Sequence, residues 1–265
     1  MRKNQRFAIA SFIMCLFLIG QLSAAYAGKP KREFYQLTVY HYSTEAQGIV
    51  IEQYLEAALL PALHRAGISN IGVFKAIAND TAVDKLLYVF VPIKNLEMIT
   101  TIDLKLKKDA EYNKAGEEYI NAVYTKAPYN RKEVILLQAF SMAPEMHLPN
   151  LTAAKKDRVY ELRSYESATE KIFQNKVHMF NEGDEIGLFK KLNFNAVFYS
   201  EVIAGSKMPN LMYLTSFENK ADRDEHWKAF GSDPYWKKLS GMPEYKNNVS
   251  HIDITFLRPA DYSDF

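Results

Sequence analysis

Charged and hydroxyl-bearing side chains alternate along two segments of the chain that have strand-like composition. Residues 158–166 (RVYELRSYE) place Glu161, Arg163 and Tyr165 two positions apart, and residues 251–257 (HIDITFL) place His251 and Asp253 in the same way. Alternate residues of a strand lie on one face. A histidine with an aspartate can serve as acid or base, and a Glu–Arg pair can contact a small ligand or form a buried ion pair. These three functions are open.

The polar faces of these strands define a candidate pocket. The more aliphatic faces should meet the helices, so we expect the polar faces to line the inside of the folded domain. The candidate pocket residues are Glu161, Arg163, Tyr165, His251 and Asp253 of these strands, together with Tyr213 and Thr215 of a third predicted strand over residues 211–217. If the site is structural, Arg163 bridges Glu161 and Asp253. The first half of the chain has a milder set at the matching places: Gln36, Thr38 and Tyr40. No residue is assigned a catalytic role.

Both tryptophans lie in residues 211–239 (LMYLTSFENKADRDEHWKAFGSDPYWKKL). Trp227 and Phe230 are three positions apart and share one face of a predicted helix, which Asn219 can cap. The pair Asp233-Pro234 is typical of the start of a second helix. We interpret the segment as the element that docks the helices on the sheet, with ligand stacking on a tryptophan as the alternative. Its structural motif is Arg223, Trp227, Phe230, Asp233, Pro234 and Trp236.

The order of the predicted elements indicates an α+β fold built twice. Residues 33–140 predict the order βαββαβ, residues 141–157 a linker, and residues 158–257 the same order again, followed by a loosely held tail over 258–265. Tyr35, Leu37 and Tyr40 correspond to Tyr160, Leu162 and Tyr165 at a constant offset of 125. Two ferredoxin-like repeats of this kind should pack sheet to sheet or pair with another chain. Pro61 should kink or break the first helix.

Three segments together resemble the NIPSNAP family: YLEAALLPALHRAGISNIGVF in the first half, and RVYELRSY with the tryptophan segment in the second. The resemblance implies a dimeric α+β barrel, a fold that small cofactor-free monooxygenases also use. It implies no established catalytic residue, and we expect no cofactor.

The N-terminus has the pattern of a secretory signal peptide. Arg2, Lys3 and Arg6 precede an apolar run over residues 7–20, and the small residues of Ala25-Tyr26-Ala27 predict cleavage after Ala27. A mitochondrial presequence is the alternative. Cleavage would change the net charge from +2 to −1 and remove the single cysteine, Cys15. We therefore expect a secreted or periplasmic protein without disulfides, without a membrane segment after cleavage, and without a nucleic-acid partner.

The six histidines show no spacing typical of metal ligands, and no phosphate-binding glycine loop is present in the sequence. The sequence favours a barrel-forming protein that binds a small apolar or aromatic ligand, or that acts in assembly. It would pair its repeats internally or form a homo-oligomer. The alternative is a small cofactor-independent oxygenase- or isomerase-like enzyme with its pocket in the second repeat.

Overall fold

The computed structural model describes residues 31–265. The predicted signal peptide, residues 1–27, lies outside the described residues. Between residues 31 and 265, no helix combines the length and the apolar character that are needed to cross a membrane.

Eight antiparallel strands form one closed barrel. The strands are β1 (Phe34–Tyr42), β2 (Gly72–Ala76), β3 (Lys85–Ile93), β4 (Arg131–Ala139), β5 (Val159–Glu166), β6 (Phe198–Ala204), β7 (Asn210–Phe217) and β8 (His251–Pro259). Their order around the barrel is β1-β3-β2-β8-β5-β7-β6-β4. Each half thus contributes four strands in the same order, and the halves join where β2 pairs with β8 and β4 with β6. The predicted fold class is confirmed, and the two halves pair within one chain.

Helices cover the outside of the barrel. Those of the first half are α1 (Glu45–Tyr54), α2 (Leu60–Arg65), α3 (Glu97–Lys108), α4 (Ala110–Ala115) and α5 (Glu117–Ile120). Those of the second half are α6 (Glu170–Asn181), α7 (Glu185–Lys191), α8 (Lys220–Ser232) and α9 (Pro234–Gly241). Short 3-10 turns lie at Ile77–Asp80, Tyr124–Lys126 and Pro243–Tyr245.

The sequence led us to expect a kink or a break at Pro61, but the helical path is not broken there. A π-helical turn, Leu55–Leu59, joins α1 to α2 and places Pro61 in the first turn of α2. A proline is tolerated there because the first residues of a helix need no intrahelical N–H bond. The wider turn therefore absorbs the proline without ending the helical path.

The barrel interior is apolar and largely aromatic. Phe90 of β3 and Phe198 of β6 stack with ring centroids 4.9 Å apart, and Tyr35 of β1 contacts both rings. Since these rings come from both halves, the interior joins the two sheets by packing as well as by the strand pairs.

The predicted loose tail over residues 258–265 is wrong. Strand β8 extends to Pro259, and the N–H of Asp264 donates to the carbonyl of Ile71 at 3.1 Å. Phe265 is only 3% exposed, and its ring contacts Phe74 and Phe90 in the barrel interior. Residues 258–265 therefore belong to the core, because the side chain of Phe265 fills one end of the barrel.

Candidate functional site

The register of β5 and β8 divides the predicted pocket into two groups. Arg163 lies opposite Ile254, whereas Ser164 lies opposite Asp253. The polar face of β5 therefore continues into the apolar face of β8, and the two polar faces point to opposite sides of the sheet. The expectation of one pocket inside the barrel is wrong. The outer group lies outside the barrel, beneath the helices, and consists of Glu161, Arg163, Tyr165, Tyr213 and Thr215. The inner group, His251 and Asp253, lies at an open end of the barrel interior.

Glu161 is the centre of the outer group. Its carboxylate is fully buried and accepts hydrogen bonds from Arg163 (2.6 Å), from two nitrogens of Arg223 (2.6 and 2.8 Å) and from the indole N–H of Trp227 (2.8 Å). Four donors satisfy the carboxylate oxygens, as a buried charge requires. The bridge from Arg163 to Asp253 that we expected is not formed, because Asp253 lies on the opposite face of the sheet. Arg223 of α8 is instead the second arginine on Glu161.

Arg163 extends the outer group toward two phenols. Its guanidinium lies 3.8 Å from the ring centroid of Trp227 and donates to the hydroxyl of Tyr165 at 2.7 Å. The hydroxyls of Tyr165 and Tyr213 are 2.9 Å apart. Thr215 is fully buried beside this group, and its hydroxyl has no hydrogen-bond partner within residues 31–265.

The electrostatics of the outer group favour a fixed ion network. Burial opposes the charge on Glu161, but the hydrogen bonds and charges of Arg223 and Arg163 outweigh it, so the pKa of Glu161 lies below its ordinary value. Burial also raises the pKa of Tyr213 far above its ordinary value. The five residues line none of the major cavities in the described part of the chain. The enclosed ion network around Glu161 therefore holds α8 against the sheet.

The tryptophan segment forms α8 and α9. The side chain of Asn219 accepts from the N–H of Asp222 at the start of α8, and Asp233 caps α9, where Pro234 is the first residue. Asp233 also pairs with Lys191 of α7 at 2.7 Å.

Aromatic packing holds these two helices on the sheet. Phe230 is 4% exposed and stacks on Phe189 with a centroid distance of 4.8 Å. Trp227 contacts Phe194 at 5.0 Å, and Trp236 contacts Phe230 at 4.5 Å. The second half therefore fills the space between its helices and its sheet with aromatic side chains.

The first half leaves that same space partly open. A cavity of about 490 Å³ lies between β1 and β3 on one side and α1 to α5 on the other. Gln36, Thr38 and Tyr40 line its sheet wall, and Tyr54, Ile102, Tyr112 and Tyr119 line its helix wall. The sequence places Gln36, Thr38 and Tyr40 on one face of β1. It does not indicate that the helix residues opposite them line the same cavity. The signal that could have indicated it is the seven-residue spacing of Tyr112 and Tyr119.

Phenol groups are the main polar features of this cavity. The hydroxyls of Tyr54 and Tyr112 are 2.9 Å apart, and Tyr119 donates to Tyr40 at 3.3 Å. The rings of Tyr54 and Tyr119 stack with a centroid distance of 3.8 Å. Burial raises the pKa of Tyr40 to about 12 and raises the pKa of Tyr54 and Tyr119 still further. These phenols therefore keep their protons at neutral pH and act as hydrogen-bond donors and acceptors.

The inner group lies at the end of the barrel opposite to Phe265. The imidazole Nε2 of His251 is 3.1 Å from a carboxylate oxygen of Asp253, and the ammonium of Lys207 is 2.5 Å from the other oxygen. Glu166 lies across from His251 in the strand pair, 3.9 Å from Lys207. A second cavity of about 290 Å³ opens here, and Asp253 and Lys207 belong to its lining.

Comparisons with known proteins define the class of the fold. A candidate monooxygenase from Lactobacillus acidophilus NCFM superimposes with a TM-score of 0.57 at 13% identity, covering 86% of this chain and 94% of that chain. An anthrone oxidase-like protein superimposes with a TM-score of 0.50 at 11% identity, covering 88% and 93%. The chain is thus a barrel of the dimeric α+β class. At these identities the likeness shows the fold alone.

A family model matches the second half of the chain. Residues 160–264 match the model of the NIPSNAP family. The resemblance that the sequence indicated is confirmed, and the C-terminal half is a NIPSNAP domain. A NIPSNAP family protein from Agrobacterium tumefaciens C58 aligns at 19% identity over 40% of this chain and 96% of its own, with a TM-score of 0.35. A search of curated proteins found no match.

Proposed function

We propose that this protein binds a small aromatic molecule in the tyrosine-lined cavity of its first half. The observation that carries the proposal is the contrast between the two halves. The space between helices and sheet is filled by Phe189, Trp227 and Phe230 in the second half, and it holds a cavity of about 490 Å³ in the first. Sites for small ligands are commonly clefts of roughly 300–1,000 Å³ with apolar walls and a few polar groups.

The chemistry of the walls defines the kind of ligand. Val91, Ile93 and Ile102 supply aliphatic surface, and the stacked rings of Tyr54 and Tyr119 add aromatic surface to the same lining. The phenol hydroxyls can exchange hydrogen bonds with a hydroxyl or carbonyl group on that molecule. A planar compound with one such oxygen, such as a naphthol, matches these walls.

An oxygenase- or isomerase-like activity in the second half has less support. The carboxylate of Glu161 already accepts four hydrogen bonds, and Arg163 is paired with Glu161 and Tyr165. A candidate base or acid needs a free position within hydrogen-bond reach of its substrate. The similarity to proteins named as monooxygenases extends to the fold and carries no activity to this chain.

Two further proposals concern the whole chain. The common strand order of residues 33–140 and 158–257 supports their origin as two copies of one NIPSNAP-like repeat, joined by a linker over 141–157. The N-terminal pattern of basic residues, apolar run and Ala25-Tyr26-Ala27 supports export and cleavage after Ala27.

Fluorescence titration with 1-naphthol tests the ligand proposal. Ile102→Trp fills the cavity from the helix wall and should abolish binding without unfolding the chain. Tyr112→Phe removes one hydroxyl and should weaken binding by about fivefold, the worth of roughly 1 kcal/mol of hydrogen bonding. Tyr213→Phe is the matched control, since Tyr213 and Tyr165 form the corresponding hydroxyl pair in the packed half. Equal affinity in Ile102→Trp and the unaltered protein would refute the proposal.

Native mass spectrometry of protein purified from its own host adds a direct search for the natural ligand. We expect a retained mass that Ile102→Trp loses and Tyr213→Phe keeps. A compound retained equally by both variants would lie outside the tyrosine-lined cavity.

A further inference from the structure

The open end of the barrel brings together a set of side chains that the sequence keeps apart. Glu166 ends β5, and His251 begins β8 directly opposite to it. Asp253 follows on the same side of β8 as His251. One nitrogen of His251 and one carboxylate oxygen each of Glu166 and Asp253 lie within 4.8 Å of one another. Sequence spacing could not indicate this group, because its members come from two strands.

An imidazole and two carboxylates form a donor set that zinc and similar ions accept in proteins. Donor atoms bound to one tetrahedral zinc ion, each at roughly 2.1 Å, lie about 3.4 Å apart. The donor atoms lie within 4.8 Å of one another, so they need to close by about 1.4 Å at most, and their partial exposure at the strand ends gives them freedom to rotate. Three protein ligands also leave a fourth position for water or a bound molecule.

Charge at this end of the barrel also favours a cation. The carboxylates of Glu133, Glu166 and Asp253 lie at this end, close to the ammonium of Lys207. Lys207 contacts Asp253 at 2.5 Å and lies 3.9 Å from Glu166, so its ammonium occupies the position where a metal cation would be attracted. Its side chain is about half exposed, which allows it to turn away into solvent.

We propose that Glu166, His251 and Asp253 bind one divalent transition metal ion of the zinc type at the open end of the barrel. The cavity of about 290 Å³ shares Asp253 with this site, so a molecule that enters the barrel end would meet the ion. The site is on the opposite side of the sheet from the tyrosine-lined cavity, and it stands independently of the function proposed there. Lys207 acts as a competing cation that the metal displaces.

Calorimetric titration of the full-length chain, without a histidine tag, with zinc chloride tests the proposal. We expect one ion per chain. His251→Ala and Asp253→Ala should weaken binding by at least about tenfold. His64→Ala is the matched control, since His64 is also exposed and also lies 3.0 Å from a carboxylate, that of Asp264. Because His251 is largely exposed, its replacement should leave the fold intact, which circular dichroism would verify.

Zinc binding by Lys207→Ala distinguishes a metal site from an ion pair with only a structural role. Removing the competing ammonium should tighten zinc binding several-fold, whereas weaker binding would contradict the proposed competition. Zinc should raise the unfolding temperature of the unaltered protein but not that of His251→Ala. No binding, or equal binding by the unaltered protein, His251→Ala and His64→Ala, would overturn the site.

Discussion

Glu161 and Arg223 form a two-point ion pair across 62 positions of sequence, with Arg223 Nε 2.6 Å from one carboxylate oxygen and Nη2 2.8 Å from the other. One partner is on a strand and the other is on a helix. The pair therefore fixes the orientation of α8 on the sheet in a way that a single contact would not. Arg163 and Trp227 complete the surroundings of the same carboxylate.

Arg163→Ala should destabilise the fold by about 3 kcal/mol, because it removes one charged partner of a buried carboxylate and its contact with Trp227. Urea unfolding measures this loss. Arg65→Ala is the control: Arg65 makes two exposed ion pairs, with Asp109 and Glu111, and its loss should cost under about 1 kcal/mol. Binding of 1-naphthol should not change in Arg163→Ala. An unchanged unfolding midpoint would refute the structural role of this network.

Glu161→Gln should change how stability depends on pH. The pKa of Glu161 lies below 4.5 in the folded protein and returns near that value on unfolding, so its carboxylate stabilises the fold above pH 4.5. That contribution is lost as the pH falls from 4.5 through the lower folded pKa. The difference in unfolding free energy between the unaltered protein and Glu161→Gln should thus be largest near neutral pH and shrink in acid. A difference that stays constant from about pH 7 to pH 3.5 would contradict this.

Phe265→Ala should cost about 3 kcal/mol of stability, since it empties a buried space against Phe74 and Phe90. Thermal unfolding measures the effect. Tyr124→Ala, at a side chain that is 96% exposed, is the comparison and should be nearly neutral. Equal stability of the two variants would show that the barrel end closes without Phe265.

Expression of the whole chain in its own host should release a product that begins at Gly28, because the N-terminal pattern predicts export and cleavage after Ala27. N-terminal sequencing and mass measurement of the exported fraction test this. Recovery of the intact chain from the cytoplasm would overturn the predicted compartment.

The sequence was sufficient for the elements and the fold class. The repeated order βαββαβ over residues 33–140 and 158–257 predicted eight strands, and the described residues form eight strands in one barrel. Helix capping by Asn219 and Asp233 could be predicted because capping is local. No break occurs at Pro61, because a π-helical turn precedes it, and the sequence did not indicate that turn.

The site could be predicted only in part, because it depends on register. Alternation sorts Glu161 and Arg163 onto one face of β5, but it does not say which face of β8 continues that face. It also does not reveal that Arg223 and Trp227 supply donors to a carboxylate beneath a helix. We therefore assigned the polar face to the barrel interior, and the structure places it on the outside. The tyrosine cavity depends on helix placement, which the spacing of Tyr112 and Tyr119 indicates only weakly.

The joining of both halves in one chain has a consequence for symmetry. A barrel made from two identical subunits repeats every cavity and every ion pair, so a change that opens one site opens both. Here the outside of the second half is closed by Glu161 and Trp227, and that of the first half is open beside Tyr54 and Tyr112. The first half can therefore have a cavity between its helices and its sheet, while the packed second half keeps the barrel stable.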